Sequence, residues 1–188
     1  LAERQSAGRG RRGNAWSAPA RRDLLFSLVL YPPPGLPLER LSRLPHLGGV
    51  ALCCAIEETC PGIKTKLKWP NDIYIQGKKA AGILIENGTH VGQPFSILGI
   101  GINVNSVDNE RPQELHATAT SLREETGGTI DRHELLAAFL ASFDRLYPSG
   151  LEQFDQVLAA IKERSLLLGK DISAQLEQSS ITGRVTEF

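Results

Sequence analysis

An α+β fold, a mixed sheet backed by helices, is predicted by three observations: short β-compatible runs ended by turn residues up to residue 102, one helical periodicity set among them, and two further helical segments after residue 130. The opening, Leu1 to Pro19, is punctuated by Gly8, Gly10 and Gly13 among Arg9, Arg11 and Arg12, a composition of an ordered loop. Asp23 to Tyr31 holds an apolar run from Leu24 and is stopped by Pro32-Pro33-Pro34-Gly35, as a buried strand entering a turn would be. From about Leu38 to Glu58 the spacing of Leu41, Leu44, Leu47, Ala51 and Ala55 predicts a helix. Lys64 to Trp69, Ile73 to Ile75, Ala80 to Glu86 and Phe95 to Ile102 read as strands joined by hairpins, with Gln76-Gly77 as one turn. Asn103 to Gly128 is polar and aperiodic, the pattern of a long functional loop with room for one short strand. Asp131 caps the next helix, with Leu135, Leu136, Phe139, Leu140 and Phe143 facing inward, and Gly150 separates it from a second helix carrying Phe154, Leu158 and Ile161. Past Gly169, Ile172, Ala174 and Leu176 alternate as a strand before Ile181 to Phe188, which together suggest the first hairpin of a small β domain.

Composition bounds the function. With 188 residues, 41% of them hydrophobic, the chain can bury one sizeable core. Twenty-one basic residues balance twenty-one acidic ones, so binding of nucleic acid or an anionic membrane would need a local patch. Cys53, Cys54 and Cys60 have neither an even disulfide framework nor the paired spacing of a zinc site, which fits thiols in a reducing compartment. Apolar stretches are far shorter than the roughly 20 residues of a membrane span, and no secretory signal opens the chain. A cytoplasmic protein is expected.

Four clusters could carry chemistry, and each also has an ordinary structural explanation. The loop Gly8-Arg9-Gly10-Arg11-Arg12-Gly13 sets glycine-exposed backbone N–H groups beside guanidinium forks, suited to an anion; it could equally be an RNA-binding segment or a solvated turn. In Lys68-Trp69-Pro70-Asn71-Asp72 a cation, an amide and a carboxylate crowd a proline, able to neutralise phosphates and hold Mg2+, or simply to form a charged strand end. Lys79, followed by Ala80-Ala81-Gly82-Ile83-Leu84, can aim at a ligand or snorkel to solvent. Gly99-Ile100-Gly101-Ile102-Asn103-Val104-Asn105 allows close approach of a flat ligand and offers two asparagines to its hydrogen-bonding edge.

In this order and spacing the four segments, with Gln5, Trp16 and Ala119-Thr120-Ser121-Leu122, resemble the catalytic-domain signature of the biotin protein ligase family over nearly the whole chain. The resemblance implies a sheet like that of class II aminoacyl-tRNA synthetases and biotin ligases, a catalytic domain over 1–168 and, over 169–188, the start of an incomplete SH3-like C-terminal domain. It implies that biotin is activated with ATP and Mg2+ as biotinoyl-AMP and then joined to a lysine of a biotin carboxyl carrier protein, that of acetyl-CoA carboxylase or a related carboxylase. Carried over residue by residue, Gln5 and the Gly8 to Arg11 backbone line the biotin site, and Arg9 and Arg11 hold phosphate. Trp16 borders the adenylate, and Lys79 is the first choice for transition-state stabilisation. Lys68, Asn71 and Asp72 manage the triphosphate and metal, Gly82 lies in the strand after Lys79, and Asn103 sits near the adenine.

The chain departs from the family pattern in three ways. The Ser-Thr-Asn segment that holds the biotin ring is expected upstream of Leu1. Asn14 stands where an arginine is usual, and Arg111 where an aromatic is usual. Alternatives are a lipoate or octanoate ligase or transferase of the same fold, a nucleic-acid module built on Arg9, Arg11, Arg12, Arg21 and Arg22, and an inactive truncated fragment. No nucleic-acid or membrane partner is expected from this segment, and a homodimer stays open.

Overall fold

The computed structural model describes residues 1–175 and 179–187. Its centre is a five-stranded sheet in the order β1-β5-β4-β3-β2, formed by β1 (Leu24–Leu30), β2 (Lys66–Lys68), β3 (Asp72–Ile75), β4 (Lys78–His90) and β5 (Gln93–Ile102). Every neighbouring pair in it is antiparallel, and among the described residues parallel pairing is confined to the isolated bridges Leu67–Ser165 and Lys79–Ala119. Helices α1 (Leu44–Thr59), α3 (Arg132–Glu152) and α4 (Asp155–Arg164) back the sheet, and α2 (Leu122–Thr126) is a single short turn.

Alternation along the strands decides which face the helices cover. Ile83, Leu98, Ile100 and Ile102 point into the core, while Gly82, Leu84, Glu86, Gly99 and Gly101 alternate with them on the other face. Helix α1 lies under the core face and is buried on nearly every side, from Leu44 through Ile56. Gly48 allows its backbone close to Ile83 and Leu98, where a Cβ would stand 3.4–3.5 Å from both side chains. The aromatic ladder Phe26–Phe139–Phe143–Tyr147, with ring centroids 5.2, 5.7 and 5.5 Å apart, joins β1 to α3, and burial drives the Cys53 thiol up to about 12.

Several expectations change in extent. The hairpin β4–β5 runs beyond Glu86 to His90 and resumes at Gln93, because Val91 (φ 47°) and Gly92 (φ 77°) supply the paired left-handed residues of a tight turn. Gln76 and Gly77 do the same between β3 and β4, as expected. The helix read from Leu38 begins with a 3-10 segment, Leu38–Arg43, before α1. The loop after Asn103 contains α2 instead of a strand, started by Ser121 and Glu124 in a reciprocal capping box. Gly150 does not separate two helices: it is buried inside α3, where a Cβ would meet Leu47 and Val157 at 3.1–3.2 Å, and the break comes at Gln153. Leu140, expected inside, is 40% exposed, whereas Leu135, Phe139 and Phe143 are buried and Asp131 caps their helix. Strands β6 (Asp171–Gln175) and β7 (Ser180–Arg184) make a separate two-stranded sheet; Leu176 and Phe188 lie outside the described residues. Among the described residues no helix is long and apolar enough to cross a membrane.

Phe139 of α3 is fully buried against Phe26 of β1, so Phe139→Ala should lower unfolding free energy by about 3–5 kcal/mol in urea titration; a change below about 1 kcal/mol would contradict this packing.

Candidate active site

The site lies on the sheet face away from the helices. Gly82 on β4 and Gly101 on β5 are cross-strand partners, so two adjacent positions carry no side chain. The indole of Trp16 lies on this bare patch: a Cβ on Gly101 would come within 2.5 Å of it, and one on Gly82 within 2.9 Å. The flat group that the glycines admit here is therefore the chain's own tryptophan. Its Nε1 is buried without an acceptor among the described residues.

Trp16 is delivered by the glycine–arginine loop, which folds on itself. Trp16 N–H donates to the Gly8 carbonyl at 2.9 Å and Gly10 N–H to the Asn14 carbonyl at 2.7 Å. Gly8 is required, since a Cβ would sit 2.3 Å from the Trp16 carbonyl oxygen and 2.9 Å from Gln5 Oε1. Arg12 (φ 55°) and Gly13 (φ 77°) turn the loop tip. The Gly10 amide, expected to face a ligand, is thus used inside the loop, and the anion-binding capacity lies in the outward guanidinium groups.

Those cations rest on protein acceptors. Arg9 donates to Glu86 Oε2 at 2.9 Å, Arg11 donates to Asn71 Oδ1 at 3.2 Å, and Lys79 Nζ stands 2.7 Å from Asp72 Oδ1 and 5.5 Å from the Trp16 ring centroid. Asn71 is further fixed by donating Nδ2 to the Ile83 carbonyl at 2.8 Å. The site face thus gathers Gln5, Gly8, Arg9, Arg11, Trp16, Asn71, Asp72, Lys79 and Gly82. Lys68 shares the face, but its ammonium rests 5.4 Å from the Tyr74 ring centroid while Lys79 occupies Asp72.

Asn103 and Asn105 are placed differently. Both are buried; Asn103 donates Nδ2 to the Thr120 carbonyl, and Asn105 donates to and accepts from the Ile130 backbone, each bond 2.9 Å long. A buried carboxamide must be satisfied, and these two are satisfied by closing the 106–130 segment onto the sheet instead of by facing the open site. Arg111 serves the same segment, buried against Glu124 at 2.7–2.8 Å.

Three further groups act at the site's border without a local motif to announce them. Glu86 holds Arg9. Asp23 Oδ1 accepts from the N–H groups of Val104 (2.8 Å) and Ser106 (3.1 Å), fixing the strand end. Burial pushes the Asp23 carboxyl above the usual carboxylate range against the pull of those donors. Arg132, the third, donates to Glu3 and to the Asp23 carbonyl. Among the described residues no group of three or more His, Cys, Asp or Glu side chains is gathered as a metal site.

Residues 1–105 match the Biotin/lipoate A/B protein ligase family. The chain is 42% identical over 148 residues to the bifunctional ligase/repressor BirA of Bacillus subtilis, covering 78% of this chain and 45% of that protein. It is 33% identical over 178 residues to the biotin–[acetyl-CoA-carboxylase] ligase of Mycobacterium tuberculosis, covering 94% and 64%. The biotin protein ligase of Aquifex aeolicus, solved in complex with biotin and ATP, superposes with a TM-score of 0.83 at 35% identity over 98% of this chain and 75% of that one. The chain spans about half the length of the B. subtilis relative.

Two outcomes follow from this geometry. With Trp69→Phe leaving Trp16 as the sole tryptophan, Gly101→Ala should displace the indole and shift its emission to longer wavelength; an unchanged spectrum would contradict the contact. A carboxyl whose folded pKa is raised contributes stability that is fully present below its unfolded value and lost as pH rises through the folded one. Asp23 should therefore make urea stability fall as pH climbs from about 3.8 through its raised folded value, and Asp23→Asn should flatten that fall.

Proposed function

Because the chain belongs to the Biotin/lipoate A/B protein ligase family, we propose that it is the catalytic part of a biotin protein ligase, acting on biotin and ATP and then on one lysine of a biotin carboxyl carrier protein, that of acetyl-CoA carboxylase or a related carboxylase. Residues 1–168 are the catalytic unit in this proposal and 169–188 begin an SH3-like domain, with a cytoplasmic location. The observation that carries it is the set of cations around Trp16, each resting on an acceptor that a phosphate or carboxylate oxygen can replace.

In the first step a biotin carboxylate oxygen attacks the α-phosphorus of ATP, and the bond to pyrophosphate breaks with its electron pair on the leaving group. Negative charge gathers on the phosphoryl oxygens, and fixed cations in a partly dry site offset it best. Lys79 takes that task in this proposal, supported by its half-buried position between Trp16 and Asp72, with Arg9 and Arg11 meeting the phosphates. Gln5 and the Gly8 to Arg11 backbone border biotin, Trp16 borders the adenylate, and Gly82 keeps the floor clear. Lys68 and Asn71 face the triphosphate side, and Asn103 holds the strand end toward the adenine. Mg2+ fits Asp72 as a one-carboxylate contact, where it would neutralise triphosphate charge. In the second step the carrier lysine amine attacks the acyl carbon of the mixed anhydride, the bond to AMP breaks, and the amine loses a proton as the amide forms. No enzyme nucleophile is needed, which agrees with Cys53 being buried as a thiol.

The test is ATP–pyrophosphate exchange by the 188-residue chain, and by the chain extended upstream, with biotin, lipoate or octanoate. Biotin-dependent exchange is expected, abolished by chelation and restored by Mg2+, and lowered by about 100-fold or more in Lys79→Ala. Exchange with lipoate or octanoate but not biotin would replace the substrate; no exchange in either form would sink the reading.

A further inference from the structure

Helix α3 opens with a residue that the helix itself does not want. A guanidinium in the first turn faces the positive end of the backbone dipoles, and the helix start is already capped by Asp131, which accepts from the N–H groups of His133 and Glu134. Arg132 instead turns back toward the site. Its Nη1 donates to Glu3 Oε2 at 2.8 Å and its Nη2 to Glu3 Oε1 at 3.1 Å, a forked pair, and Nη1 also donates to the backbone carbonyl of Asp23 at 3.0 Å.

The two partners belong to two different segments that border the site. Glu3 is two residues ahead of Gln5, in a segment otherwise pinned to the fold by Ala2 N–H on the Leu25 carbonyl and Arg21 N–H on the Glu3 carbonyl. Asp23 grips Val104 and Ser106, immediately after Asn103. A planar fork can satisfy both at once; a lysine ammonium cannot hold the same bidentate geometry.

We propose that Arg132 is a positioning residue of the ligase site, setting the Gln5 segment through Glu3 and the Asn103 strand end through Asp23, so that biotin-side and nucleotide-side affinity share one support. This rests on the proposed function. Glu3 is 61% exposed along its side chain, so the pair adds little to global stability, and its effect is expected in binding rather than in folding.

The experiment reads KM for biotin and for ATP in the exchange reaction, with amide hydrogen exchange of the ligand-free protein beside it. R132A should raise both KM values about fivefold or more with kcat within about twofold, whereas E3Q should raise that for biotin alone. The charge swap E3R/R132E should recover the biotin KM but not the ATP KM, because a carboxylate at position 132 cannot donate to the Asp23 carbonyl. Amide exchange at Val104 and Ser106 should quicken in R132A and in the swap, and not in E3Q. Were R132A unable to fold, R132K is read by the same criteria. A folded R132A or R132K with both KM values within about twofold of wild type, or a swap that recovers neither, overturns the proposal. Absence of biotin-dependent exchange from both the wild-type chain and its upstream-extended form would defeat the ligase reading itself, and the amide exchange would still decide whether Arg132 holds the two segments.

Discussion

Gly82 and Gly101 face one another across the central hairpin and leave part of the sheet's outer surface without side chains. The indole of Trp16 fits there because a Cβ at either position would overlap it. From that contact the rest of the site takes its positions. Trp16 anchors the end of the glycine–arginine loop, whose internal hydrogen bonds aim Arg9 and Arg11 at β4 and the β2–β3 connection. Lys79, two residues past the Gln76-Gly77 turn, is trapped between the same indole and Asp72. The core face makes the gap possible: Ile83, Leu98, Ile100 and Ile102 pack against α1, so the strands do not depend on their outer face for burial.

Electrostatics then gives the site its character. Three cations converge on one face of a chain whose formal charges cancel; Arg9 and Lys79 are paired with the carboxylates of Glu86 and Asp72, and Arg11 donates to the neutral amide oxygen of Asn71. Such pairs are half-exposed and worth little in stability, so exchanging one acceptor for a phosphate oxygen costs little. An arrangement with the cations unpaired would bind anions of any kind and repel itself; the protein acceptors temper both effects. Asn71 is the exception among the acceptors, because its other amide arm is committed to the Ile83 carbonyl, making it a fixed post for Arg11.

What the sequence revealed follows from which forces are local. The order of the strands and helices, the Gln76-Gly77 turn and the Asp131 cap depend on near neighbours and alternation, and they follow the pattern, although the ends of several elements differ. The Ser121/Glu124 capping box has a local signature too, three residues apart, but it sits in a polar stretch without periodicity and was hidden by it. Gly150 misled for a physical reason: glycine ends helices when exposed, yet inside α3 it makes room for Leu47. The roles of Asp23, Glu86 and Arg132 come from partners 77 to 129 residues away, and no spacing rule reports such pairings.

The asparagines show how residue type can point to a site while missing the task. A strand ending in Asn103-Val104-Asn105 has the right groups for reading a base edge, and on the surface they would be free to do so. Buried, a carboxamide loses more by going unpaired than it gains by waiting for a ligand, so Asn103 takes the Thr120 carbonyl and Asn105 takes both polar groups of Ile130. Their placement makes the 106–130 segment part of the rigid frame. Any discrimination between nucleotides at this edge must then be exerted through the shape that Asn103, Asn105 and Asp23 hold together.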